Sequence, residues 1–90
     1  MGFLDKLMPQ PRWKHADSAV RLEAVKDVDD RQELAQLAES DPDVRVRRAA
    51  LGRVDDTAVL GRIAATDADQ ETRDKAADRL MALAGRTGNP

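Results

Sequence analysis

The chain has 90 residues, of which 41% are hydrophobic and 36% are charged, and its formal net charge is −2. This length suits one domain, and charges of both signs exclude attraction of the whole molecule to nucleic acid or anionic lipid. Cysteine is absent, so disulfides and thiolate chemistry are excluded. No run reaches the roughly 18 apolar residues of a membrane span, and no secretory signal pattern begins the chain. We therefore expect a soluble, cytoplasmic protein.

Residues 1–14 predict an N-terminal amphipathic cap and a proline-rich lead-in. Phe3, Leu4, Leu7 and Met8 would share one side of a short helix, which the following prolines would end. This helix would either cover the exposed end of the repeat domain or anchor the chain to a membrane surface or a partner.

Arg12-Trp13-Lys14 is the one place where basic residues flank an aromatic side chain. Such a group has two interpretations. The ring can stack on a nucleobase while the cations contact phosphates, or it can supply packing area to the edge of the core.

An eight-residue pattern, Asp-x-x-Val-Arg-x-x-Ala, recurs at a fixed spacing of 26 residues. Its copies begin at Asp17, Asp43 and Asp69, and in the third copy Thr72 replaces the valine. Such self-similarity indicates identical supersecondary units stacked in a row. We therefore predict a repeat domain over residues 15–85, with units at about 15–40, 41–66 and 67–85.

Apolar spacing predicts two helices and a tight turn within each of the first two units. In the first unit the apolar stripe of one helix runs from Val20 to Val28, and the Asp-Asp pair at 29–30 supplies an N-cap for the next helix. In the second unit we expect Asp41 to cap a helix whose first residue is Pro42.

The third unit departs from this pattern, because Met81-Ala82 stands where the Asp-Asp pair is expected. The helix is therefore predicted to continue and to end at Gly85 in the left-handed conformation, with a flexible tail over 86–90. Either the array terminates here, or this is the leading piece of a longer protein. Gly52 and Gly61 lie inside predicted helices, where they would let helix backbones approach closely.

The repeated pattern resembles the second-helix signature of HEAT repeats, over residues 15–84. The resemblance implies an all-α fold, an α-α superhelix or solenoid of short HEAT-like helical hairpins. It also implies a ladder from repeat to repeat in which three aspartates pair with three arginines: Asp17 with Arg21, Asp43 with Arg47, and Asp69 with Arg73. Because each pair is spaced i and i+4, a bond within one helix is the alternative. Full HEAT units span about 40 residues or more, so these units are short.

HEAT resemblance implies binding and no reaction. The only histidine is far in sequence from both serines, and the paired carboxylates recur at equivalent positions, which is typical of helix caps. We therefore predict no catalytic, cofactor or metal site, and expect a non-enzymatic protein-protein interaction or scaffold module.

The alternative is a nucleic-acid-binding repeat that uses Arg12, Trp13, Lys14 and the arginines of the middle repeat. Four of the latter are candidates for contact with an acidic partner or with phosphates: Arg45, Arg48, Arg53 and Arg62. They would otherwise form a solvated face of mixed charge.

Overall fold

The computed structural model describes residues 11–88, with side chains described as far as residue 85. This part of the chain contains helices and turns and no strand, so the predicted all-α class is confirmed. The predicted N-terminal cap and the last two residues of the predicted tail lie outside it. Its five α-helices are α1 (Ser18–Ala24), α2 (Arg31–Ser40), α3 (Val44–Leu51), α4 (Thr57–Thr66) and α5 (Gln70–Gly88).

Contacts between the helices arrange them in two rows. Helices α1, α3 and α5 carry the repeated pattern and contact one another in chain order, while α2 contacts α4. The closest packing joins α2 to α3 and α4 to α5, through the short connections at 41–43 and 67–69. We call each of these two closely packed pairs a layer.

An aspartate immediately precedes each of the five helices and caps it. Its carboxylate accepts hydrogen bonds from free backbone N–H groups of the first turn, which stabilises the helix start. The five caps and their donors are Asp17 with Ala19, Asp30 with Gln32 and Glu33, Asp43 with Arg45, Asp56 with Ala58 and Val59, and Asp69 with Thr72. The predicted cap of α2 within the 29–30 pair is therefore confirmed, at Asp30.

The expected start of a helix at Pro42 is wrong. Helix α3 begins at Val44, after Asp43, whose carboxylate accepts from the N–H of Arg45 at 2.8 Å. Asp41 instead accepts from the N–H of Asp43 at 2.9 Å, so it shapes the turn that precedes the cap.

The core lies between the two rows of helices. Val46, Ala50 and Leu60 are completely buried, as their periodic spacing predicts. Val28 and Val54 are also buried, at 4% exposure each, although both lie beyond the ends of their helices. After Ala24 the chain tightens into a 3-10 turn, Val25–Asp27, and Val28 is extended. Ala24, Val25 and Val28 of the predicted stripe are therefore buried, whereas Val20 is only half-buried, and the stripe is not helical throughout.

The last helix is longer than predicted. Helix α5 continues through Gly85 to Gly88, and no described glycine has a positive φ, so the predicted left-handed end at Gly85 is wrong. Leu80 and Leu83 are half-buried and pack against the core, which favours continuation of the helix. None of the described helices is at once long and apolar enough to cross a membrane.

Gly61 lies inside α4 as predicted, whereas Gly52 follows the last residue of α3, and neither shows the expected close backbone approach. A Cβ built on Gly61 would meet nothing within 4 Å apart from its own turn of helix, and one on Gly52 would first meet the carbonyl oxygen of Ala49 at 3.5 Å. Both positions therefore have room for an ordinary side chain.

Candidate interaction surfaces

Arginines at equivalent positions of the first two sequence repeats bind aspartates of the connections between helices. Arg21 in α1 donates from Nε and Nη2 to the two carboxylate oxygens of Asp41, at 2.8 and 3.0 Å. Arg47 in α3 donates in the same way to Asp67, at 3.0 and 3.3 Å. Both aspartate side chains are only 3% exposed. Each arginine therefore makes a bidentate ion pair that is largely screened from solvent.

These pairs correct the ladder implied by the HEAT resemblance. The expected acids, Asp17, Asp43 and Asp69, cap the starts of their own helices instead. An N-cap carboxylate must turn back toward the amides of its own first turn, so it does not reach the arginine four residues later. The acids that do pair with Arg21 and Arg47 are Asp41 and Asp67, each 20 residues after its arginine. Each is the first aspartate of an Asp-x-Asp sequence whose second aspartate is a helix cap.

Arg21, Arg47 and Arg73, which we call the ladder arginines, share one hydrogen bond to the backbone. Nη1 of each arginine donates to the backbone carbonyl oxygen six residues upstream, in the connection that precedes its own helix. Arg21 donates in this way to His15 at 2.8 Å, Arg47 to Asp41 at 2.8 Å, and Arg73 to Asp67 at 2.5 Å. The three guanidinium groups are therefore anchored alike.

Arg48 makes a further link between α3 and α5. It donates to Asp69 at 2.8 Å and to the Thr72 hydroxyl at 3.2 Å, and it pairs with Glu71 at 2.9 Å. Thr72 is fully buried and donates its own proton to Asp69 at 2.7 Å. The hydrogen bonds from Arg48 and Thr72 hold the pKa of Asp69 well below its usual range. Thr72, which replaces valine in the third repeat, therefore has hydrogen-bond partners for its buried hydroxyl.

Arg45 lies beside the cap of its own helix. Its Nη2 donates to Asp43 at 2.8 Å and to the Ser18 hydroxyl at 3.3 Å, which reaches back to α1. The side-chain and backbone hydrogen bonds from Arg45 lower the pKa of Asp43 below its usual range. The guanidinium is 59% exposed, so this contact lies on the surface.

Arg53 and Arg79 form a second series of hydrogen bonds between segments distant in sequence, which the sequence pattern did not predict. They are 26 residues apart. Arg53 donates to the carbonyl oxygen of Val25, and Arg79 donates to that of Val54 at 2.6 Å and to Asp55 at 2.6 Å. The repeated arginine was visible in the sequence, but its main acceptor is a backbone carbonyl, which every residue carries. No sequence pattern could therefore identify it.

A groove of about 540 Å³ lies between α2 and the segment that leads into α4. Its floor is apolar, and Leu34, Val54 and Val59 are each at most 6% exposed. Its rim carries charges of both signs from Arg31, Glu39, Arg53, Asp55, Asp56 and Arg62. Arg62 crosses from α4 to α2 through a bidentate pair with Glu39, at 2.8 and 3.1 Å. The groove therefore offers an apolar strip between mixed charges.

The basic-aromatic group at residues 12–14 packs against the fold. Trp13 is half-buried and contacts the core cluster, as the packing interpretation expects. The ammonium of Lys14 lies 5.0 Å from the centre of its ring, a cation-π distance, and Arg12 pairs with Asp27 at 3.5 Å. The indole is therefore partly covered by groups of its own chain.

Neither a cluster of metal ligands nor a contact between the histidine and a serine is found in the described residues. No set of three His, Asp or Glu side chains there is placed to hold a metal ion. His15 accepts the N–H of Asp17 on Nδ1 at 2.9 Å, and Ser18 accepts from Arg45. Within residues 11–85 no hydrogen bond joins this histidine to a serine.

Comparison of the chain with protein-family models, curated proteins and solved structures finds no match. Functional inference therefore rests on its own residues and their geometry.

Proposed function

We propose that this chain is a non-enzymatic, HEAT-type helical-repeat module that binds another protein. The observation that carries the proposal is the equivalence of the Arg21–Asp41 and Arg47–Asp67 pairs: the second pair lies 26 residues after the first, at both its arginine and its aspartate. Equivalent bridges at a fixed spacing are what a solenoid requires, because each of its repeats contacts only its neighbours. Extended surfaces of such stacks serve for binding.

The groove between α2 and α4 is the surface we assign to this binding. Its apolar floor suits aliphatic side chains, and the two positive and two negative charges of Arg31, Arg62, Glu39 and Asp56 on its rim suit a segment with charges of both signs. A protein segment has that chemistry. A polyanion does not, since half of the rim charges would repel it.

The alternative function, nucleic-acid binding, would require cations that are free to contact phosphate. Each candidate cation already has a partner in the described residues, and most of these partners are carboxylates: Arg12 with Asp27, Lys14 with the Trp13 ring, Arg45 with Asp43, Arg48 with Asp69, Arg53 with the Val25 carbonyl and Arg62 with Glu39. Phosphate would have to displace them. A mobility shift at low salt that weakens steeply as salt rises would support this alternative over protein binding.

A photo-crosslinking amino acid at Gln32, an exposed position on the groove, tests the proposal in a lysate of the source cell. The matched control carries it at Asp78, which is exposed on α5 and away from the groove. We expect a discrete protein adduct from position 32 and none from position 78. The same adducts from both positions, or none from either, would contradict the assignment of the groove.

A further inference from the structure

The third ladder arginine, Arg73, is anchored like the other two but holds no carboxylate. Its Nη1 donates to the carbonyl oxygen of Asp67, as Nη1 of Arg47 donates to that of Asp41. In Arg21 and Arg47 the Nε–Nη2 edge takes up both oxygens of an aspartate. Among residues 11–85, no acidic side chain lies within 4.0 Å of the Arg73 guanidinium.

Several apolar residues of α4 and α5 are more exposed in the described structure than their equivalents one repeat earlier. Ala38 in α2 is completely buried, as is usual where another helix lies over it, whereas Ala64, the equivalent residue of α4, is half-buried. Leu51 and Val54 are at most 4% exposed, and their equivalents, Ala77 and Leu80, are also half-buried. Positions that are buried in the layer of α2 and α3 are therefore partly exposed at the equivalent places in the layer of α4 and α5.

The internal pairs indicate the chemistry of the group that would complete this site. In each pair the acceptor is the carboxylate of an aspartate two residues ahead of a helix cap, in the Asp-x-Asp connections at 41–43 and 67–69. Its carboxylate accepts hydrogen bonds both from the guanidinium edge and from the backbone N–H of the cap residue. A planar guanidinium held in one orientation selects a carboxylate by two parallel hydrogen bonds.

We propose that Arg73 is a docking site for an aspartate at the start of a helix in a partner protein, which adds its helix to the stack as a further layer. The inference rests on the proposed function and gives it a second contact point, separate from the groove. The neighbouring acids Asp74 and Asp78 are exposed on the same helix, so a basic residue near the partner's aspartate complements this surface.

Quantitative capture from a lysate of the source cell by the immobilised full chain tests the proposal. Its variants are Arg73→Gln, which removes the charged edge, and Lys75→Gln, which removes one positive charge from an exposed position on the same helix. We expect Arg73→Gln to reduce capture of a specific protein at least about tenfold and Lys75→Gln to leave it within about twofold. Circular dichroism of both variants establishes that the fold is retained.

The captured protein must then show the matching group. Substitution of one helix-initiating aspartate by asparagine in that protein should cause the same loss, and combining it with Arg73→Gln should cause little more. Equal capture by the wild type and Arg73→Gln, together with an adduct at position 32, would overturn the docking site and leave the proposed function standing. Capture of nothing, of nucleic acid, or of a second copy of this chain would overturn the docking site as stated, and the Gln32 adduct would then decide separately whether the proposed function survives.

Discussion

Arg21 and Arg47 bind the same residue, Asp41, at different groups. Arg21 holds its carboxylate, and Arg47 holds its carbonyl oxygen. Because Asp67 is held in the same two ways by Arg47 and Arg73, the hydrogen bonds form one continuous series through the described part of the stack. Each aspartate in this series is held by arginines of two successive repeats, so the connections at 41–43 and 67–69 are also joints between repeats.

The cap of α2 provides a local test. Asp30→Ala should lower the free energy of unfolding by about 1 kcal/mol, because the carboxylate accepts from the N–H groups of Gln32 and Glu33. Asp29→Ala, one position earlier, removes an exposed side chain that is not the cap and should change it by less than about 0.5 kcal/mol. Urea unfolding measures both, and equal effects would contradict the assigned cap.

Val46 tests the inward face of the repeated pattern. Val46→Asp should abolish cooperative folding, since it places an unpaired charge at a completely buried position in a domain whose total stability is small. The control is Ala58→Asp, at an exposed position in the first turn of α4, where a negative charge is favourable. Circular dichroism and thermal melting compare the two, and an unchanged melting temperature for Val46→Asp would show that this face is not inward.

These two sites show which parts of the structure the sequence could predict. The cap at Asp30 depends on atoms within three residues, and the burial of Val46 follows from periodicity, so both could be inferred locally. The acid that pairs with Arg47 could not, because an intrahelical partner at Asp43 and a distant one at Asp67 were both compatible with the sequence. Which of them wins depends on the cap geometry of Asp43 and on how the layers pack.

Gly61 offers a stabilising substitution. Gly61→Ala should raise the free energy of unfolding by about 0.5–1 kcal/mol, because alanine has the higher helix propensity and its Cβ would meet nothing within 4 Å apart from its own turn of helix. Urea unfolding measures the change. A loss of stability would mean that the position is in close contact with a neighbour, as the sequence alone had suggested.

Acid should destabilise the fold partly through Asp69. Its pKa is lowered in the folded state by Arg48 first and by Thr72 second, whereas in the unfolded chain an aspartate has a pKa of about 3.9. The unfolded state therefore binds a proton more readily, so this contribution is complete above the unfolded pKa and is lost as the pH falls below about 4 toward the folded pKa.

The corresponding experiment follows stability between pH 6 and pH 2.5, approximately the range over which carboxylates titrate. Asp69→Asn should be less stable than the wild type near neutral pH and should lose less stability on acidification. Arg48→Met, which removes the main donor to Asp69, should flatten the profile in the same direction. Profiles that run parallel to the wild type would show that Asp69 does not contribute to the acid sensitivity.

The continuous series of arginine and aspartate contacts is tested most directly by two double-mutant cycles that share Arg47→Met. One cycle combines it with Asp67→Asn, and the other with Asp43→Asn, with the free energy of unfolding measured in urea. We predict a coupling of about 1–3 kcal/mol for Arg47 with Asp67, which contact each other and are largely buried, and below about 0.5 kcal/mol for Arg47 with Asp43. A larger coupling for Arg47 with Asp43 would place the ion pair within one helix and contradict the joining of layers through these residues.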